Sequence, residues 1–123
     1  RIDLLLEPEM SNEDGRKIYV EVKNTTWCDH SLALFPDTVT TRGQKHLREL
    51  MGVCPQSRAV LIPCISRNDM EIFAPCDSAD PLYGDLFRQG LAKGIEVFPC
   101  SFGFFRDHIS WEGVKPFRNS QEK

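Results

Sequence analysis

The chain has 123 residues, 41% of them hydrophobic, which suits one globular domain and leaves no room for a second. Its longest apolar run, 59–65, is interrupted by Pro63 and is far shorter than the roughly 20 residues that a membrane-spanning helix needs, so we expect no membrane partner. The formal net charge of −3 excludes attraction of nucleic acid by the overall field. Any DNA binding must therefore come from a local basic patch or from residues outside this chain.

The cysteines favour reduced thiols and a cytoplasmic location. An odd number of widely spaced cysteines without a Cys-x-x-Cys pair argues against a disulfide framework. Cys28 and His30 have the spacing of half a zinc site, but no second pair at ligand spacing follows, so free thiols are the better interpretation. The five cysteines are Cys28, Cys54, Cys64, Cys76 and Cys100.

Two strand-like runs open the chain, at 1–6 and 18–23, and the polar, turn-rich stretch between them predicts a hairpin. Successive side chains of a strand point to opposite faces, so Glu21 and Lys23 lie side by side with Tyr19, away from the apolar face. If the hairpin forms, Asp3 reaches the same face.

Two carboxylates and a lysine gathered in this way have a specific chemical use. Asp3 and Glu21 offer hard oxygen ligands for Mg²⁺ or Mn²⁺. Lys23 then orients the attacking water or stabilises transition-state charge. The alternative is a solvated strand face with an ordinary Lys/Glu pair, in which Asp3 pairs with Arg1 or Lys23.

The next stretch, 24–36, is interpreted as a polar loop with two aromatic side chains, Trp27 and Phe35. These rings either stack on nucleic-acid bases or fill the core. Thr41-x-x-Gln44 then predicts a capping box at the start of a helix that stops near Gly52 and Pro55. Asp37, Thr38 and Thr40 are further candidates for the N-cap.

On a helical wheel this helix has an apolar stripe and a charged face. Arg42, Lys45 and Arg48 lie on the charged face, where they either contact DNA phosphates or only solvate the helix. His46 falls between the two faces and is either a proton shuttle near a nucleic-acid site or a packing residue. The predicted apolar stripe is Val39, Gly43, Leu47, Leu50 and Met51.

The run 58–65 is nearly all apolar and predicts a parallel strand that is buried on both faces and connected to the Glu21 strand through the helix. Pro63 has no N–H to donate, so we expect the strand to end or become an edge there.

The remaining elements are a short strand at 70–73, a helix, a strand at 95–100 and a hairpin at 102–111. Asp80 and Pro81 predict the N-cap and first turn of the helix 82–93, and Gly94 predicts its C-cap. Its predicted apolar face is Leu82, Leu86, Phe87 and Leu91. The polar tail is expected to fray, which gives a domain at 1–111 and a tail at 112–123.

The order Asp3, hairpin, Glu21-x-Lys23 resembles the signature of the PD-(D/E)XK nuclease fold. Residues 34–50, together with 1–3, 21–26 and 58–61, resemble the C-terminal domain of the sugar fermentation stimulation protein A (SfsA) family. This resemblance runs from residue 1 to about residue 105.

The resemblance implies an α/β domain with a mixed central sheet flanked by helices, as in restriction endonucleases. It implies DNA as the partner and, as the sharper hypothesis, a Mg²⁺- or Mn²⁺-dependent deoxyribonuclease with Asp3, Glu21 and Lys23 as catalytic residues. Gln44 matches a helix residue that lies near the metal-bound water in similar nucleases, and Asp37 lies in the Phe-Pro-Asp run of the family motif.

The resemblance also implies an N-terminal domain of the same chain before Arg1, so groups that close the site would lie there. The alternative function is a non-catalytic DNA-binding regulator of sugar metabolism that retains the nuclease architecture. Arg42, Lys45, His46 and Arg48 are the DNA-binding candidates in both cases.

Overall fold

The structure is a computed structural model that describes residues 2–8 and 14–122. Arg1 and residues 9–13 of the predicted turn lie outside the described residues. In the described part of the chain the elements, in order, are β1 (Leu4–Leu6), β2 (Ile18–Thr25), β3 (Trp27–Asp29), β4 (Leu32–Phe35), α1 (Thr41–Val53), β5 (Arg58–Ile65), β6 (Ile72–Pro75), α2 (Pro81–Lys93), β7 (Glu96–Val97), β8 (Cys100–Phe104) and β9 (Ile109–Val114).

The main sheet is mixed, with the order β1-β2-β5-β8-β9, and β7 also pairs with β5. β1 is antiparallel to β2, which confirms the predicted hairpin. β2 and β5 run parallel from the pair Ile18 and Arg58 to the pair Thr25 and Ile65. β8 and β9 form the antiparallel hairpin at the other edge. The mixed α/β prediction is therefore confirmed.

The two helices cover the face of this sheet that carries Glu21. Glu21 pairs with Leu61 of β5, and Leu61 shares one core cluster with Leu47 and Leu50 of α1 and with Phe87 of α2. The interpretation of this face as solvated is therefore wrong. The helices pack on the apolar side chains of β5. Glu21 lies beside these side chains and is therefore buried together with them.

The stretch 24–36, interpreted from the sequence as a loop, contains the end of β2 and then a hairpin of β3 and β4. β3 and β4 pair antiparallel, and β4 pairs in parallel with β6 to make a second sheet of three strands. His30 makes the tight turn with a φ of 55°. Phe35 packs edge-on against Tyr83 with ring centroids 5.3 Å apart, whereas Trp27 is exposed. The strands are too short for an alternating pattern to show in the sequence.

Pro63 does not end β5, and of the two predicted outcomes the strand instead becomes a local edge on one side there. The carbonyl of Leu61 accepts from the N–H of Phe98, so Leu61 faces the β7 side of the strand. Pro63, two residues later, faces the same side. There β7 has ended at Val97 and β8 begins only at Cys100, so the missing N–H falls where no partner strand needs it.

The start of α1 differs from the predicted capping box. Thr40 is the N-cap, and its side chain accepts from the N–H of Gly43. Neither Thr41 nor Asp37 is the cap, and Gln44 does not close a box. Val39 lies before the helix and is exposed, so the buried stripe begins only at Gly43.

The caps of α2 agree with the prediction. Asp80 is the N-cap, Pro81 begins the helix, and Gly94 ends it in the left-handed conformation with a φ of 110°. The apolar face is rotated from the expected one, because Tyr83 is fully buried while Leu82 is exposed. Packing against α1 selects the side that carries Tyr83.

The C-terminal part is shifted and extended relative to the prediction. β6 covers Ile72–Pro75, the expected strand at 95–100 is divided into β7 and β8, and β9 continues to Val114. Beyond it, Phe117 packs against Phe87 with ring centroids 6.1 Å apart, and the N–H of Gln121 donates to Asp77. Fixed contacts therefore continue past the predicted boundary at 112, because apolar residues are interspersed in this polar stretch.

The opposite face of the main sheet is largely apolar, and much of it is exposed in the part of the chain that the structure describes, although Val20 and Val60 are buried within it. We call this surface the open face; it begins at Leu4 and Val22 and continues across the β8–β9 hairpin. In the hairpin its most exposed members are Phe104, Ile109, Trp111 and Val114. Among the described helices, none is long and apolar enough to cross a membrane.

Candidate active site

Glu21 lies in the middle of β2, beneath α1, and only 1% of it is exposed. A buried carboxylate needs partners because leaving water is costly for a charge. Its Oε2 lies 2.8 Å from the Lys23 Nζ and 3.0 Å from the His46 Nδ1. Its Oε1 accepts from the backbone N–H of Asp3 at 3.2 Å. Glu21 is thus the centre of a small polar cluster inside an apolar core.

Asp3 joins this cluster from the edge strand. Leu4 pairs with Val20, so the next step of the register sets Asp3 opposite Glu21. The Asp3 Oδ2 accepts from the N–H of Val22 at 2.9 Å, and Asp3 is exposed. The structure therefore brings Asp3, Glu21 and Lys23 together with one side open to solvent, and their catalytic roles stay predictions.

His46 is the member of the cluster whose position the sequence did not settle. It is 2% exposed, and its Nδ1 lies 2.6 Å from the Lys23 Nζ. The signal that could have found it is its spacing, because His46 is three residues after Gly43 and four before Leu50, which are both buried.

Burial lowers the pKa of His46, and the nearby Lys23 ammonium lowers it further. The carboxylate of Glu21 acts in the opposite direction without cancelling these effects. Burial and the Lys23 ammonium therefore both favour the neutral imidazole.

Gln44 does not support the cluster, which corrects the expectation drawn from its position. Its side-chain Nε2 donates to both carboxylate oxygens of Asp80, at 2.9 and 3.2 Å. Asp80 also accepts from the N–H of Thr40 and the N–H of Tyr83. This network holds the first turns of α1 and α2 together, so the role of Gln44 is structural.

Asp37 is exposed and lines a small cavity with Asn24 and Trp27. It neither caps α1 nor takes part in the hydrogen bonds of the Glu21 cluster. Its place in the family motif has no structural explanation here.

The basic residues of α1 lie beside the cluster. Arg42, Lys45 and Arg48 are exposed, as predicted. An open cleft of about 520 Å³ is lined by Thr41, Arg42, Lys45 and His46. We call it the α1 cleft. His46 therefore belongs both to the cluster and to the wall of a positively charged cleft.

The donor set at this edge suits a hard cation. Asp3 and Glu21 supply carboxylate oxygens, which Mg²⁺ and Mn²⁺ prefer, and Mg²⁺ sites commonly use only one or two carboxylates together with water and substrate phosphates. Within residues 2–8 and 14–122, no group of three or more His, Cys, Asp or Glu side chains is placed to hold a metal, and this includes Cys28 and His30. Asp3 and Glu21 have the ligand chemistry of a two-carboxylate site, and the binding of Mg²⁺ or Mn²⁺ there stays a prediction.

Comparisons with known proteins identify first the class of fold. The solved structure described as "The structure of Pyrococcus Furiosus SfsA in complex with Ca2+" matches with a TM-score of 0.82, 23% sequence identity, 96% coverage of this chain and 55% of that one. The two chains share a mixed α/β fold.

The family model described as "Sugar fermentation stimulation protein RE domain" matches residues 1–108. A sugar fermentation stimulation protein homolog of Prochlorococcus marinus (strain NATL2A) is 73% identical over 122 residues, which is 99% of this chain and 47% of the relative. The homolog of Parasynechococcus marenigrum (strain WH8102) is 65% identical over 118 residues, which is 96% of this chain and 46% of that relative. The chain belongs to the sugar fermentation stimulation protein (SfsA) family, and it spans about half the length of these relatives.

Proposed function

We propose that this chain is the nuclease-like domain, with a PD-(D/E)XK core, of a DNA-binding protein that hydrolyses phosphodiesters with Mg²⁺ or Mn²⁺. The observation that carries the proposal is the convergence of Asp3, Glu21 and Lys23 at one sheet edge, beside the α1 cleft. Two carboxylates and an ammonium next to a basic cleft are what metal-assisted attack on a phosphate requires.

Each residue then has a defined task. Asp3 and Glu21 hold the cation, which when bound polarises the phosphate and acidifies a water molecule. Lys23 stabilises the negative charge that develops on the phosphate oxygens. The Pyrococcus furiosus SfsA structure is described as a complex with Ca²⁺. Because Ca²⁺ takes the same hard oxygen ligands, this description supports the proposal of a divalent-cation site.

DNA is the substrate that the charge distribution favours. The chain is acidic overall, yet Arg42, Lys45 and Arg48 are exposed together on one helix next to the cluster. Such a local patch contacts phosphates without reading bases, which fits binding that is not sequence-specific.

One observation favours a second candidate, a non-catalytic DNA-binding module that acts in the regulation of sugar metabolism. Glu21 is already satisfied within the protein, by the Asp3 N–H and the Lys23 ammonium, as a purely structural buried pair would be. In that case the cluster only maintains the fold, and DNA binding by α1 is the whole function.

Variants of the full-length protein separate the two candidates. Lys23→Met keeps most of the side-chain volume but removes the charge, and we expect cleavage to fall by about 100-fold, or about 3 kcal/mol, with DNA affinity nearly unchanged. Glu21→Gln should remove Mn²⁺ binding in titration calorimetry as well as cleavage. Lys17→Met, at an exposed lysine outside the cluster, is the matched control and should change nothing.

The cleavage assay should include single-stranded, duplex and branched DNA with Mg²⁺ and with Mn²⁺. Full-length protein that binds DNA but cleaves none of these substrates would establish the binding module and exclude the enzyme.

A further inference from the structure

The Lys23 ammonium has two acceptors at short range. Its Nζ lies 2.8 Å from the Glu21 Oε2 and 2.6 Å from the His46 Nδ1. An ammonium group has N–H donors and no lone pair, so the His46 Nδ1 must accept the hydrogen bond from Lys23.

This contact selects one tautomer of His46. A neutral imidazole whose Nδ1 accepts carries its proton on Nε2. The alternative, in which Nδ1–H donates to the Glu21 Oε2 across 3.0 Å, would direct an N–H at the Lys23 ammonium only 2.6 Å away. Two N–H donors that point at each other across that distance repel. Lys23 is therefore the donor in both hydrogen bonds, to the Glu21 Oε2 and to the His46 Nδ1.

We propose that His46, which lines the α1 cleft, is a positioning residue for Lys23: its unprotonated Nδ1 and the Glu21 carboxylate hold the ammonium from two sides. His46 suits this task because it is 2% exposed and is fixed by a well-packed helix, so its ring has little freedom to turn away. Lys23 carries several rotatable bonds and would otherwise sample many positions. The catalytic consequence rests on the proposed function, whereas the hydrogen-bond arrangement does not.

The first test is the tautomer itself, measured by nitrogen NMR on the full-length protein with ¹⁵N-labelled histidine and divalent metals chelated. His30 and His108 are exposed and serve as internal references within this chain, and the His46 signal is assigned by its absence in His46→Asn. We expect a protonated Nε2 and an unprotonated Nδ1. A signal with Nδ1 protonated would overturn the proposal without any measurement of activity.

Lys23→Met provides the diagnostic change. Without the ammonium, the Glu21 Oε2 at 3.0 Å is the neighbour that remains, so the proton should move to Nδ1 and the tautomer should switch. Lys17→Met should leave the spectrum unchanged. An unchanged tautomer in Lys23→Met would show that Lys23 and His46 are not hydrogen-bonded.

The second test is functional. His46→Leu removes the acceptor and should lower kcat by at least about tenfold, with KM for DNA unchanged. A tenfold decrease is the rate factor that corresponds to losing one hydrogen bond to a charged group. His46→Asn places an amide oxygen near the position of Nδ1 and should restore most of the activity. If the wild type cleaves DNA and His46→Leu is equally active, the positioning role is refuted. If the wild type cleaves nothing, the proposed function fails while the tautomer measurement still decides the arrangement.

Discussion

At the scale of single residues, the informative feature is a buried charge that packing alone does not explain. Glu21 and Lys23 lie on a face whose neighbours on β5 are apolar. Buried ion pairs contribute little to stability compared with well-packed apolar side chains of the same volume. Their presence beneath α1 therefore supports the proposed role of this pair in chemistry at the sheet edge.

Tyr83 carries a residue-scale prediction. Its ring is fully buried, and its hydroxyl has no hydrogen-bond partner among the described residues. Burial raises the pKa of Tyr83, and the carboxylates of Glu21 and Asp80 raise it further, so the hydroxyl stays protonated. Tyr83→Phe should leave the free energy of unfolding unchanged or raise it by up to about 1 kcal/mol, as measured by urea denaturation.

Tyr83→Leu is the control, because it loses the edge-on contact with Phe35 and should cost about 2–4 kcal/mol. If Tyr83→Phe lowers the free energy of unfolding by more than about 1 kcal/mol, the hydroxyl has a hydrogen-bond partner other than the described residues, such as a bound water.

At the scale of elements, Asp80 couples the two helices. It caps α2 and accepts from Thr40 and Gln44 at the start of α1. Burial acts to raise the pKa of Asp80, but the hydrogen bonds from Thr40, Gln44 and Tyr83 outweigh it and hold this pKa below its usual value.

The consequence is a pH-dependent contribution to stability. Because the folded pKa is depressed, the unfolded chain binds the proton more readily; the stabilisation is present above about pH 4 and is lost as the pH falls through the folded pKa. Asp80→Asn should lower the free energy of unfolding by about 1–3 kcal/mol at pH 7, and this difference should shrink at low pH.

Urea denaturation at several pH values measures both quantities. Asp85→Asn, an exposed acid in the same helix, is the matched control and should change stability by less than about 0.5 kcal/mol. A destabilisation by Asp80→Asn that stays constant from neutral to acid pH would contradict a contribution from the ionised carboxylate.

The exposed face of α1 gives the second element-scale prediction. Replacing Arg42, Lys45 and Arg48 together with Ala should weaken the binding of full-length protein to every DNA sequence alike. The slope of log affinity against log salt should become shallower by about three units, roughly one for each lost phosphate contact.

Fluorescence anisotropy over a series of salt concentrations measures this slope. The charge-matched control replaces Lys17, Lys93 and Arg106, which are exposed elsewhere. Equal slopes for the two triple variants would show that the α1 residues contribute only through the overall charge of the protein and do not contact phosphates specifically.

At the scale of the whole molecule, the open face is the unusual feature. A folded domain rarely exposes a large contiguous apolar surface unless another molecule or domain covers it. Here Val22, Ile109 and Trp111 are all more than a third exposed on the side of the sheet away from the helices. Because this chain spans about half the length of its relatives, we expect the rest of the full-length protein to cover this face.

The 123-residue chain expressed alone should therefore bind a hydrophobic fluorescent dye and self-associate in light scattering, and full-length protein should do neither to a comparable extent. Val22→Lys with Ile109→Lys should suppress both effects in the isolated chain. Leu82→Lys, at an exposed apolar residue of α2, is the control and should not. A monomeric isolated chain without dye binding would show that this face needs no cover.

Local chemistry was sufficient for much of the architecture. The Asp80, Pro81 and Gly94 signals define α2 because caps depend on a few neighbouring residues, and the apolar run 58–65 predicts a parallel strand because it has no polar face to expose. The alternation of β2 likewise placed Glu21 and Lys23 on one face, and the Asp-hairpin-Glu-x-Lys order brought Asp3 to them.

The tertiary structure decided which face was buried and which helix residue reached the cluster. Alternation assigns residues to two faces of a strand but cannot say which one the helices cover, and here they cover the face with Glu21. Helical periodicity fixes the angles between Gln44, His46 and the charged residues, but the rotation of α1 about its axis depends on its contacts with α2 and β5. That rotation turns Gln44 toward Asp80 and His46 toward Lys23. The sequence could not show this, because the partners of each polar group lie far apart along the chain and meet only when it has folded.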